Sequence, residues 1–120
     1  GSVLGNDMVA VFKAQCAEWP TAWRPDGFRD PLAGELPVLA VSGEFDPVTP
    51  ARYGDEVIAH LPRGRHLVAP GQGHNVIGAG CMPKLFAQFV ESTDAAGLDA
   101  SCLERLAPAP PFAGNHGWEP

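Results

Sequence analysis

Two stretches of the chain place a carboxylate and an imidazole at matching positions: "VSGEFDPVTP" carries Asp46 and "GQGHNV" carries His74. An aspartate hydrogen-bonded to a histidine fixes the tautomer of the ring. It also stabilises the imidazolium that forms when the histidine takes a proton. That is the acid–base half of a nucleophile–histidine–aspartate machine. Taken singly, each motif has a plainer reading. Asp-Pro after an apolar run is ordinary surface-turn composition, and a Gly-x-Gly-His loop is no more specific. Their relation carries the weight: Asp46 stands five residues beyond Val41, and His74 five beyond Ala69, each after an apolar run.

The remaining polar groups are weaker candidates. Glu44 could meet a substrate amine, but a solvated loop carboxylate is the simpler expectation. His60 and His66 lie outside the strand-end loops and read as surface or packing residues, and His116 as a solvated tail residue. The glycine-rich loop at 71–80 lacks the G-x-x-x-x-G-K-[ST] pattern of a phosphate cradle. No CxxC or HxxxH spacing suggests zinc, so no metal and no cofactor is expected. Ser2, Ser42, Ser92 and Ser101 all lack the G-x-S-x-G spacing of a nucleophile elbow, so a triad is not completed within these residues.

The elements that must position Asp46 and His74 follow from pattern. Val38, Leu39, Ala40 and Val41 form an apolar run without alternation, as in a parallel strand covered on both faces. Thr49 is placed to cap a helix opening at Pro50, with Tyr53, Val57 and Leu61 as its apolar face and Gly54 as a weak point inside it. A second strand, Arg65–Ala69, is stopped by Pro70. Pro83 opens a further helix with Leu85, Phe86, Phe89 and Val90 on its core side. Ahead of these, Met8, Val11, Phe12, Cys16 and Trp19 recur at helical spacing, with Asn6 or Asp7 as cap and Pro20 as stop. Strand–helix–strand with a short crossover implies a parallel pair, and reactive groups gather past the carboxyl ends of such strands. Two parallel strands make a poor core alone, so the piece is expected to be the end of a larger α/β sheet.

Composition excludes several functions. The net charge is −6 with eight scattered basic residues, which argues against a nucleic-acid partner. No apolar run approaches the roughly 20 residues a membrane span needs. The leading Gly-Ser resembles a remnant of tag removal, and the natural chain is expected to begin upstream. Three cysteines, Cys16, Cys81 and Cys102, are an odd number. Cys81 and Cys102 flank one predicted helix and its exit loop and form the natural pair if the protein is exported. Three buried thiols in a cytosolic protein is the alternative. A bridge would place the protein in an oxidising compartment, periplasmic or secreted.

The stretches "PVLAVSGEFDPVTP", "GQGHNV", "GCMPKLFAQFV", "SCLERL" and "PPF" resemble the carboxyl-terminal portion of α/β-hydrolase peptidases. The group is tripeptidyl-aminopeptidase-like (TAP-like) and related to proline iminopeptidases. The resemblance spans Leu36 to Phe112 and, more weakly, the helix ending "CAEWP". It implies a helix and irregular connection over 1–36 from the end of a cap or lid, a hydrolase segment over 37–112 and a tail over 113–120. It further implies that Asp46 and His74 complete a serine triad and that Cys81 and Cys102 are the family's cysteines flanking the last helix. The expected function is the carboxyl-terminal segment of a serine hydrolase, an exopeptidase acting near a free amino terminus. The nucleophile comes from the upstream part of the same hydrolase, and the substrate of the complete enzyme is a peptide or small ester or amide. The alternative is a non-catalytic interaction module derived from a hydrolase. The exposed strand edges lead to an expectation of self-association.

Overall fold

The computed structural model describes residues 5–108 and 110, which places His116 and the tail over 113–120 outside the described residues. The chain divides into two compact units, one up to Asp30 and one from Pro31 onward. In the first, α1 spans Asp7–Glu18. It ends at Trp19, whose backbone is extended, because the residue before a proline is pushed out of the helical region. Asn6 occupies the cap position without donating or accepting a side-chain cap bond. The apolar residues Met8, Val11, Phe12 and Trp19 are all exposed.

The second unit runs β1 (Val38–Gly43), α2 (Arg52–Ile58), β2 (Gly64–Ala69), α3 (Met82–Ser92) and a 3₁₀ helix, Ser101–Arg105. The strands pair in parallel, from Val38 opposite Gly64 to Gly43 opposite Ala69. This is the expected α/β arrangement of two parallel strands with flanking helices. Side chains alternate along each strand, so the sheet has two different faces. Leu39, Val41, Leu67 and Ala69 point to one face, where Met82 and Leu85 of α3, Val76, Leu98 and Leu103 complete the core. The other face carries Ala40, Ser42 and His66 toward α2.

Three expectations are corrected. β1 is not covered on both faces: Val38 to Ser42 are half-buried, and Gly43 is its single buried residue. Two strands with one layer of core cannot enclose both faces of the first strand. On α3 the buried stripe is Met82, Leu85 and half-buried Phe89, whereas Phe86 and Val90 are exposed on the neighbouring stripe. Tyr53 and Val57 are also exposed, and α2 has no buried residue; Leu61, beyond its end, is the residue that reaches the interior.

The loop after α3 is fastened by two arginines as well as by its buried Ala95 and Leu98. Nη1 of Arg65 donates to the carbonyls of Ala95 (3.2 Å), Ala96 (3.2 Å) and Leu98 (2.6 Å). Nη2 of Arg63 donates to the carbonyl of Thr93 at 3.1 Å. Thr93 closes α3 in the left-handed region (φ 52°), an uncommon conformation for a β-branched residue that these contacts help to hold. A disulfide joins Cys81, at the entrance of α3, to Cys102 in the 3₁₀ helix, with Cα atoms 6.3 Å apart. Cys16 is free and exposed.

Candidate active site

β1 extends two residues further than its apolar run, so Asp46 sits three residues past the strand end rather than five. His74 sits five past the end of β2, as expected. The two turns meet because Gly43 lets them. A Cβ at position 43 would collide with the carbonyl oxygens of Gly73 and Gln72, which are backbone atoms with little room to yield. The crossing is then stitched by backbone bonds: Phe45 N–H donates to Gln72 O at 2.9 Å and Glu44 N–H to Ala69 O at 3.1 Å. Glu44, expected to be merely solvated, accepts the Gly71 N–H at 2.7 Å and adds a third stitch. Gly43→Ala is therefore expected to cost about 1–3 kcal/mol by overpacking and to separate His74 from Asp46. Urea unfolding measures the first effect and the low-field His74 ring N–H proton in NMR the second. An unshifted midpoint with that proton intact would refute the close-approach argument.

The Asp-Pro pair has a specific local use. Proline presets the turn and brings no N–H of its own. The next two N–H groups, of Val48 and Thr49, both donate to Asp46 Oδ1, at 2.8 and 2.9 Å. The Thr49 hydroxyl donates to Oδ2 at 2.8 Å. This corrects the reading of Thr49 as a helix cap. Its side chain is committed to Asp46, α2 starts later, at Arg52, and the cap residue Ala51 supplies no side-chain bond.

His74 completes the set. Its Nδ1 lies 2.9 Å from Asp46 Oδ2 and 3.1 Å from Oδ1, with Thr49 Oγ1 at 3.3 Å. A carboxylate can only accept, so Nδ1 carries a proton, and whenever the ring is neutral the lone pair is on Nε2. Nε2 bonds to no described residue, and the His74 side chain is 55% exposed while that of Asp46 is 2% exposed. A covered carboxylate thus orients an open imidazole. Burial pushes the Asp46 carboxyl upward, but the Thr49 N–H, the His74 ring, the Thr49 hydroxyl and the Val48 N–H outweigh it. Together they hold the carboxyl far below the usual aspartate value of 3.8.

The direction of that shift sets a pH dependence. A depressed folded pKa contributes stability that is complete above the unfolded value and is lost as pH falls below it. Stability is therefore expected to decline below about pH 3.8 and to keep declining as Asp46 is protonated. Asp99, lowered by its bonds to Ser101, acts with the same sign. Urea unfolding from pH 5 to pH 2 separates the two: Asp46→Asn should flatten the decline, and an unchanged slope in that variant would remove Asp46 as its cause.

His60 is exposed, as a surface residue should be. His66 is more than a packing residue. Its side chain is 3% exposed, with Nδ1 2.8 Å from Asp55 Oδ1 and Nε2 2.9 Å from Ser42 Oγ. Neither Ser42 nor Asp55 was a site candidate from the sequence. The one local signal for the missed Thr49 was its spacing three residues after an aspartate, the pattern of a side chain closing its own turn. Among the described residues no cluster of three or more His, Cys, Asp or Glu side chains could hold a metal ion, and no helix is long and apolar enough to cross a membrane.

No curated protein and no solved structure matches the chain. The family model described as TAP-like protein matches residues 1–102, a stretch that includes β1, β2, α3, Asp46 and His74. With a parallel strand pair that ends in a hydrogen-bonded aspartate and histidine, and with that match over most of its length, the chain belongs to the hydrolase-related TAP-like protein family of the α/β-hydrolases.

Proposed function

We propose that this chain supplies the general base and its orienting carboxylate to a serine hydrolase. The observation that carries the reading is the His74 Nδ1–Asp46 pair, with the carboxylate covered and the far ring nitrogen open. In this role Nε2 of His74 takes the proton of an attacking serine hydroxyl and later gives it to the leaving group. Asp46 holds the tautomer and stabilises the imidazolium between those steps. The four serines of the chain lack the elbow spacing, so the nucleophile is assigned to an upstream part of the same hydrolase. Family membership favours peptide or small amide and ester substrates and an exopeptidase that removes residues near a free amino terminus. The disulfide favours an oxidising compartment, periplasmic or secreted.

The chain by itself is expected to turn over neither p-nitrophenyl esters nor aminoacyl fluorogenic amides. Covalent joining to a natural upstream sequence with a G-x-S-x-G elbow is expected to produce hydrolysis. Turnover by the 120-residue chain that disappears in His74→Ala would refute the division of labour. An upstream sequence without any elbow would favour the non-catalytic interaction module instead.

A further inference from the structure

The loop that carries Asp46 leaves β1 after Gly43, one residue past Ser42, and runs into α2, which carries Asp55. Both ends are fastened to a single imidazole from the neighbouring strand. His66, on β2, lies opposite Ala40 in the register, and Ser42 is two residues along on the same face. One ring nitrogen meets Ser42 Oγ at 2.9 Å and the other meets Asp55 Oδ1 at 2.8 Å. Since the Asp55 carboxylate only accepts, Nδ1 holds a proton, and Nε2 is left to pair with the Ser42 hydroxyl.

We propose that Ser42, His66 and Asp55 form a clamp that positions Asp46 for His74. The inference rests on the reading of Asp46 and His74 as the working pair. Three observations carry it. First, α2 has no buried side chain of its own, so apolar packing does little to hold it to the sheet. Second, Gly54 places bare backbone against the ring: a Cβ there would collide with Nε2, Cε1 and Cδ2 of His66. A glycine that weakens a helix is thereby explained by the imidazole it admits. Third, the clamp closes the base of the turn from outside, and the Asp46 carboxylate closes its tip through Val48 and Thr49. Opening the base gives the tip a longer, looser segment to order.

The order of atoms, serine to histidine to aspartate, resembles a triad, but the site is no second catalytic centre. The ring is almost wholly covered, and Ser42 lies within a strand rather than on an exposed elbow. Its three residues are positioning residues.

The test uses the full chain, labelled with ¹⁵N, in the forms wild type, His66→Phe, Asp55→Ala and Asp55→Asn. Amide exchange of Val48 and Thr49 reports the turn, and exchange in the β1–β2 ladder reports the fold as a whole. In Asp55→Ala the Val48 and Thr49 amides are expected to exchange about tenfold faster relative to the ladder, the loss of one charged hydrogen bond. His66→Phe should exceed that, because both links are lost while ring volume is kept. Asp55→Asn, which retains an acceptor oxygen, should stay close to wild type. Should His66→Phe fail to fold, Asp55→Ala decides, since that side chain is 71% exposed and its truncation leaves the core alone. Val48 and Thr49 rates that are unchanged, or that rise only in proportion to the ladder, would overturn the clamp. The low-field Nδ1 proton of His74 keeps the two readings apart. Its absence from the wild type would refute the Asp46–His74 pair, and the amide rates would still decide the clamp.

Discussion

In an enzyme that unites this chain with a serine nucleophile, His74→Ala is expected to lower kcat by about 10⁴–10⁶-fold with little change in KM. The size of the effect follows from the geometry. The Nε2 lone pair is the one basic position the site presents, and Asp46 fixes it there through Nδ1 at 2.9 Å. Removing the ring leaves serine attack without a proton acceptor and the leaving group without a donor. Asp46→Asn is expected to cost about 10⁴-fold, because an amide nitrogen facing Nδ1 favours the opposite tautomer. Its retained oxygen can still accept the Val48 and Thr49 N–H groups, so the turn persists and the loss falls on kcat. Steady-state kinetics on an aminoacyl amide, with circular dichroism to verify folding, measures both variants. A His74→Ala enzyme that keeps a tenth of its kcat would end the general-base assignment.

Reduction of the disulfide is the second large effect, and it acts on stability. Cys81 and Cys102 are 21 residues apart, and closing a loop of that size stabilises by ~3 kcal/mol in the chain-entropy account. For a unit of this size that corresponds to a fall in Tm of roughly 12–24 °C. The bridge ties the start of α3 to the 3₁₀ helix, and the buried residues Met82 and Leu103 follow its two cysteines directly. Between them lie α3 and a loop that the Arg65 guanidinium fastens. Thermal unfolding with and without reductant, and of a Cys81→Ala, Cys102→Ala double variant, checks the expectation. Full reduction that moves Tm by less than about 4 °C would show that the arginine contacts and the core suffice without the bridge.

Much of the fold was legible because its signals are short-range. Pro20 and Pro70 stop their elements through their own ring geometry, and short apolar runs at 38–41 and 67–69 mark the two strands. Even so, β1 proved longer than its run, since strand pairing follows the partner's register and not only hydropathy. The face of α3 was half misread. Phe86 and Val90 are as apolar as Leu85, but which stripe meets the core depends on where the helix docks.

The sequence by itself determined the chemical types and their order: an aspartate and a histidine after consecutive strands, a proline directly after that aspartate, and cysteines on either side of one helix. Only the tertiary structure decided which of these groups meet. Thr49 turned from helix cap to Asp46 donor, Glu44 from solvated carboxylate to stitch, and His66 from packing residue to the clamp we propose. The first is settled within one turn, and the other two depend on contacts across turns or strands, such as the 24-residue separation of His66 and Ser42. Such contacts follow from register and from which face a side chain takes. Gly43 shows the reason most directly: its missing side chain has no pattern to read, yet it is the space through which His74 reaches Asp46.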